Sequence, residues 1–144
     1  MAKSCHVTPG WESMSRAQLM LEQAGEKSLF SVRIADNAAK RAAGYQWICP
    51  NDAENTAVLF VFPRMVPSAF HMRNVYVPLD IYYFDDAGNQ VDAMSMRPEP
   101  PGQGLKPRYY QPGGPFRYAL EIARPQSHNL NSVPVPMRLL VDSL

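Results

Sequence analysis

The residues best suited to chemistry gather in one stretch, Ala69–Phe84, which reads AFHMRNVYVPLDIYYF. Arg73, Asn74 and Asp80 lie around a bend marked by Pro78. Proline cannot donate to a sheet ladder, so it belongs at a strand start or edge. A bend between strands brings their end residues together. Arg73 and Asp80 could then pair, with Asn74 bonding the turn backbone. Such a corner either locks the bend as a structural ion pair, which is the commoner case, or receives an anion or an amide. His71 shares a strand face with Arg73. One histidine is not a metal site, because zinc needs three or four ligands. It could act as a general base only with an orienting carboxylate, for which Asp80 and Glu121 are the candidates. Glu121 lies on the polar face of a strand that is otherwise apolar. It is either solvent-facing or, if that face lines a cavity, a ligand contact that Arg41, beside Gly44, could reach. Tyr109 and Tyr110 follow a proline-rich loop, where paired aromatics stack on sugars or cover a core edge.

Other signatures are missing. The chain has no GxGxxG, Walker loop, HExxH, GxSxG or EF-hand loop, so neither a cofactor nor a metal is expected. Cys5 and Cys49 show no CxxC or zinc-type spacing. They could form one disulfide, but the spacing favours two unlinked thiols.

The elements that must hold these residues are short. Ser15 and Gln18 fit a capping box, and Met14, Ala17, Met20, Leu21 and Ala24 repeat at helical spacing, so a helix is expected over 13–25, ended by Gly25. Strands are expected at Leu29–Ala35, Ala57–Phe62, Ala69–Arg73, Leu79–Phe84, Gln90–Met96 and Phe116–Ala123, with a last one at Met137–Val141. Asn37 or Asp36 caps an alanine-rich turn, Ala38–Ala43, that Gly44 ends. Gln46–Thr56 and the proline-rich Pro98–Pro107 read as loops. Asp85–Asn89 is a hairpin turn. The pattern predicts a mostly β single domain with one or two short helices (α+β), as a curled antiparallel sheet or a partly open β-barrel. Residues 1–28 form an N-terminal extension, 29–124 the domain, and 125–144 a C-terminal extension that packs as a strand.

At 144 residues the chain can bury roughly 70% of the surface its unfolded form exposes. The formal charge of +1 gives no basic excess for nucleic acid. No stretch approaches the ~20 apolar residues of a membrane span. The first residues have no long apolar core. Two placements are open: periplasmic or secreted with a removed leader, or cytoplasmic.

The order of motifs carries a resemblance. F-x-V-x-I-A-D precedes the short helix with Arg41 and Gly44, then come VLFVF, FHMRNVYVPLDIYYFDDAGNQV and YALEI. This resembles the domain of unknown function 192 family, also called uncharacterised protein family 0127, over about residues 29–124. The family's central motif reads Phe-Trp-Met-Lys-Asn-Thr and then Pro-Leu-Asp. Phe70, Met72, Asn74, Pro78, Leu79 and Asp80 match it, while Arg73 replaces the lysine, His71 the tryptophan and Val75 the threonine. The resemblance implies a compact β-rich fold, often exported or membrane-tethered, and no established activity.

Three functions stay open. The first is a non-catalytic binding module in the cell envelope for a small polar ligand, such as a sugar, peptide end or carboxylate, with Arg41, His71, Arg73, Asn74, Asp80, Tyr109 and Glu121 as candidate contacts. The second is a small hydrolase or transferase that uses Asp80 or Glu121 as an acid or base, a reading that carboxylates on opposite sheet faces would end. The third is a protein-interaction domain whose partner docks on the helix at 13–25.

Overall fold

Short apolar or alternating runs, bounded by turn residues, build the sheet. In the computed structural model, which describes residues 4–100, 106–124 and 135–144, three strands have the expected bounds: β4 (Leu79–Phe84), β5 (Gln90–Met96) and β6 (Phe116–Ala123). Strands β2 (Glu26–Ala35) and β3 (Ala57–Val66) contain the expected runs and extend beyond them. With β1 (Ser15–Gln23) and the two-residue β7 (Arg138–Leu139), they form one sheet in the order β5-β4-β6-β3-β2-β1-β7. Every neighbouring pair is antiparallel except β2–β3.

The two ends of the sheet nearly meet. β7 pairs with β1 on one side, and on the other an Asn89–Arg138 bridge reaches the β4–β5 turn. Leu139 N–H donates to the Gly88 carbonyl at 2.7 Å. Gly88 permits this approach, since a Cβ there would run into the Leu139 carbonyl, and its φ of +89° suits only glycine. The result is a curled sheet that does not close, in a single mostly β domain, as expected.

Among the described residues are three short α-helices, one before β1 and two between β2 and β3. In α1 (Pro9–Ser13) the Thr8 hydroxyl accepts from Trp11 N–H. In α2 (Ala38–Ala43) Asn37 caps Lys40 N–H, and Gly44 ends the helix as expected. The third, α3 (Pro50–Glu54), lies inside the expected loop 46–56. Pro50 there starts a helix instead of a turn, because its fixed φ and missing N–H suit a first helical position.

The expected helix at 13–25 is instead β1. Its residues are good helix formers, but the buried Leu19 and Leu21 also alternate with the more exposed Gln18, Met20 and Glu22, and nine register pairs with β2 outweigh local propensity. Ala24 and Gly25, with φ of 53° and 82°, make the two-residue hairpin turn between β1 and β2. Without that helix, the amphipathic face proposed for a protein partner at 13–25 does not exist.

The expected strand Ala69–Arg73 is also absent. Only an isolated Phe70–Tyr110 bridge forms. Here Arg73 N–H bonds its neighbour His71 Nδ1 at 3.1 Å, a local bond that competes with a ladder. Residues 101–105 of the proline-rich loop and 125–134 of the C-terminal extension lie outside the described residues.

Each sheet face carries a core. The helices and residues 70–77 cover one face, around Trp11, Tyr45, Phe60, Ile81 and Tyr83. Leu19, Leu59, Phe84, Leu120 and Leu139 fill the other. The two cysteines are joined, against the expectation of unlinked thiols. His6 N–H donates to the Trp47 carbonyl at 2.7 Å, which lays the N-terminal segment beside the start of α3 and brings Cys5 and Cys49 to a Cα–Cα distance of 4.8 Å.

Candidate functional site

Strand pairing decides where each carboxylate goes. On β6, Glu121 stands in register with Val58 of β3 and Ile81 of β4, so it projects from the face that the helices cover. Asp80 neighbours Ile81 along β4 and so projects from the opposite face. The two carboxylates therefore do not converge on one substrate, and a site using both Asp80 and Glu121 is ruled out by the geometry. Glu121 is also not the solvent-facing residue that the alternation allowed, being only 5% exposed.

Above Glu121, two walls rise. The first begins where α2 ends. Gly44 turns the chain and Tyr45 drops into the core, its hydroxyl 2.7 Å from the Thr56 carbonyl and 2.9 Å from that of Glu121. The second wall is the segment Ser68–Val75. Asn74 ties the walls together: its side-chain N–H donates to Gln46 Oε1 at 3.0 Å, and its carbonyl accepts from Trp47 N–H at 2.8 Å. Trp47 and Asn74 both adopt positive φ, 70° and 62°. Strained backbone of this kind persists only where its surroundings hold it, and it clusters at functional sites. The disulfide reinforces the first wall two residues beyond Trp47.

Between the walls is a cleft of about 270 Å³. Phe60, Phe62 and Phe70 make its sides largely aromatic, and Arg41, Gln46, Ser68 and His71 supply polar groups. Glu121 also lines it. The Glu121 carboxyl has no hydrogen-bond or ion-pair partner among the described residues. Burial disfavours its charged form and pushes its pKa up to about 8. The hydroxyls of Tyr45 and Tyr83 are likewise held up, first by burial and then by the nearby Glu121.

Arg41 lines the cleft but does not reach the carboxylate. Its guanidinium donates to the Val61 carbonyl at 2.9 Å and lies 4.8 Å from the Phe62 ring centre. His71 stands half-buried in the cleft wall, its pKa lowered by burial, with its ring edge-on to Tyr109 at 6.4 Å. Arg41, His71 and Glu121 thus share one cleft, with Asn74 bracing its wall and Tyr109 beside His71.

The expected Arg73–Asp80 pair does not form. Arg73 lies 3.9 Å from Glu99, and Asp80 accepts from Ser95 Oγ at 2.8 Å and Arg124 Nε at 3.4 Å. Asp80 projects into the other face of the sheet, so the bend separates the two groups that it was expected to join. The sequence reading missed Gln46 and the three phenylalanines of the cleft. The FVF run of Phe60–Phe62 was the available signal, since two rings two residues apart on a strand lie on the same face.

The model of the DUF192 family, described as "Uncharacterized ACR", matches residues 19–133. The chain belongs to the DUF192 family. Two crystal structures resemble this DUF192 chain. One is of a proposed transcription regulator from Sinorhizobium meliloti 1021, with a TM-score of 0.70 and 21% identity, covering 88% of this chain and 95% of that one. The other is of a protein of unknown function from Novosphingobium aromaticivorans DSM 12444, with a TM-score of 0.70 and 18% identity, covering 96% of this chain and 93% of that one. At these identities the likeness is one of fold. Among curated proteins none matches the chain by sequence.

Proposed function

We propose that this DUF192 domain is a non-catalytic module that binds a small polar ligand in the cleft over Glu121. The observation that carries the reading is the Glu121 carboxyl itself: 5% exposed, without a partner among the described residues, and lining an aromatic-walled cleft. A buried carboxyl without a partner costs stability. A fold keeps such a group more readily where a ligand completes it. The cleft's volume lies just below the usual range for small-molecule sites, which suits a ligand such as a monosaccharide or a peptide end.

Among the described residues the cleft holds a single carboxylate and no histidine oriented by another, which argues against catalysis. His71 Nδ1 already accepts from Arg73 N–H, and the carboxylate nearest to an acid–base role stands alone. The Cys5–Cys49 disulfide supports an oxidising compartment, and hence the periplasmic or secreted placement over the cytoplasmic one.

The test is a fragment screen by protein NMR with monosaccharides, dipeptides, short carboxylates and short amines. Ligands are expected to shift the resonances of Gly44, Gln46, Ala69 and His71. A screen whose hits all map away from these residues would remove the reading.

A further inference from the structure

Resting on that reading of the cleft, we propose that the ligand enters it through a primary ammonium group, which docks on the Glu121 carboxylate.

Among the described residues none supplies a counter-ion for this carboxylate. The cation in the cleft lining, Arg41, is engaged by the Val61 carbonyl and the Phe62 ring. Burial is what raises the Glu121 pKa. A ligand that brings a positive charge would therefore form a pair that the protein leaves incomplete. In a dry site such a pair is stronger than in water.

The walls fit the same group. Phe60 and Phe70 line the cleft beside Glu121, and aromatic faces attract cations through their ring quadrupoles. An –NH₃⁺ has three donors to place. The carboxylate takes one or two of them, and the Ser68 hydroxyl, which also lines the cleft, can accept another. An anionic ligand end would meet an uncompensated carboxyl at this depth. A neutral hydroxyl would leave it without a counter-charge.

The rival chemistry is a carbonyl ligand held by the protonated acid, and it differs in the sign of its pH dependence. An ammonium requires ionised Glu121, so its binding expels the proton and strengthens as pH rises toward 8. A carbonyl held by the protonated acid would weaken over the same range. The other titratable and charged groups around Glu121 are Tyr45 after α2, Tyr83 on β4, Arg41 on α2 and His71 on the opposite wall. Both tyrosines stay neutral through this range, because their pKa values are raised. His71, with its pKa lowered, stays neutral from pH 6.5 upward.

The experiment titrates n-butylamine and n-butanol into the protein and into Glu121→Gln, reading backbone NMR shifts at Gly44, Gln46, Ala69 and His71. The expected result is saturable shifts with n-butylamine alone, an affinity that rises about eightfold from pH 6.5 to pH 7.5, and loss of both in Glu121→Gln. That variant keeps the shape of the side chain and removes the ionisable group, so its unchanged spectrum elsewhere reports an intact fold. Equal shifts with n-butanol, an affinity that falls with pH, or undiminished binding in Glu121→Gln would each overturn the assignment.

Glycinamide and glucosamine, compared with glycolamide and glucose, then separate a peptide end from an amino sugar as the source of the amine. Glycolamide or glucose binding at the cleft as tightly as its amine counterpart would overturn the ammonium assignment and leave the binding module standing. Silence from all six compounds would overturn both.

Discussion

Asp80 and Glu121 are the two buried carboxylates among the described residues, and they lie one register step apart on neighbouring strands. Asp80 is 3% exposed and Glu121 5%, so burial does not distinguish them. Their partners do. Asp80 accepts from the Ser95 hydroxyl and pairs with Arg124, whose side chain is 45% exposed and so carries the charge out to solvent. Glu121, on the opposite face, has aromatic neighbours and an opening into a cleft. One carboxylate is structural and complete within the chain. The other is held in an environment that favours its neutral form until something else supplies a charge. The residue with the conspicuous sequence motif, Asp80 in Pro-Leu-Asp, is the structural one.

The largest expected effect comes from the wall that makes the two environments differ. The Cys5–Cys49 disulfide closes a loop over a sequence separation of 44 and ties down the α2–α3 connection on Glu121's side of the sheet. Replacing both cysteines with serine should cost about 4 kcal/mol by loop-closure entropy, read from urea unfolding. The same change should loosen the wall over Glu121 and let its pKa fall back toward 4.5, while leaving the Ser95–Asp80 bond intact. A Glu121 titration, followed by carboxyl ¹³C NMR, that stays near 8 in the serine variant would mean the strands alone set the environment.

The next effect separates the carboxylates by pH. Folding raises the Glu121 pKa from 4.5 to about 8, so between these values the folded chain keeps a proton that the unfolded chain has lost. Stability contributed this way is present at low pH, falls as pH rises through the window, and levels off above about 8. Burial lowers the pKa of His71, which gives stability the opposite slope below its unfolded value of 6.5. The cleaner range is therefore pH 6.5 to 8, where the wild type should lose about 1.5 kcal/mol. Glu121→Gln should abolish that loss. An unchanged slope in the variant would show that Glu121 is not its source.

Much of this arrangement was legible in the sequence. Residues 79–84, 90–96 and 116–123 are short runs bounded by proline, glycine and turn residues and were legible as strands, and Asn37 and Gly44 bound α2 as their chemistry requires. The site was legible in part. Arg41, His71 and Glu121 reach one cleft, but Arg73 and Asp80 part company, because the chain turns at Asn74 before β4 begins. Where two periods fit the same residues, as in Ala17–Leu21, propensity pointed to a helix and pairing with β2 made a strand. The disulfide and the Gln46–Asn74 brace join residues 44 and 28 positions apart. No local pattern encodes such contacts. The face on which Glu121 lies was readable from alternation, but what covers that face was not.

The smallest effect tests the structural half of the pair. Asp80→Asn keeps an oxygen to accept from Ser95 Oγ but removes the charge opposite Arg124. Arg124 is nearly half exposed, so solvent screens much of that attraction. The expected cost is about 1 kcal/mol, measured by urea unfolding at pH 7. Because Glu121 projects from the other face, Asp80→Asn should leave both the pH 6.5–8 slope and n-butylamine binding as they are in the wild type. If this substitution shifts the Glu121 titration as well, the two faces are coupled through β4 and β6. The division into a finished carboxylate and an unfinished one would then fail, even if each carboxylate keeps the contacts described.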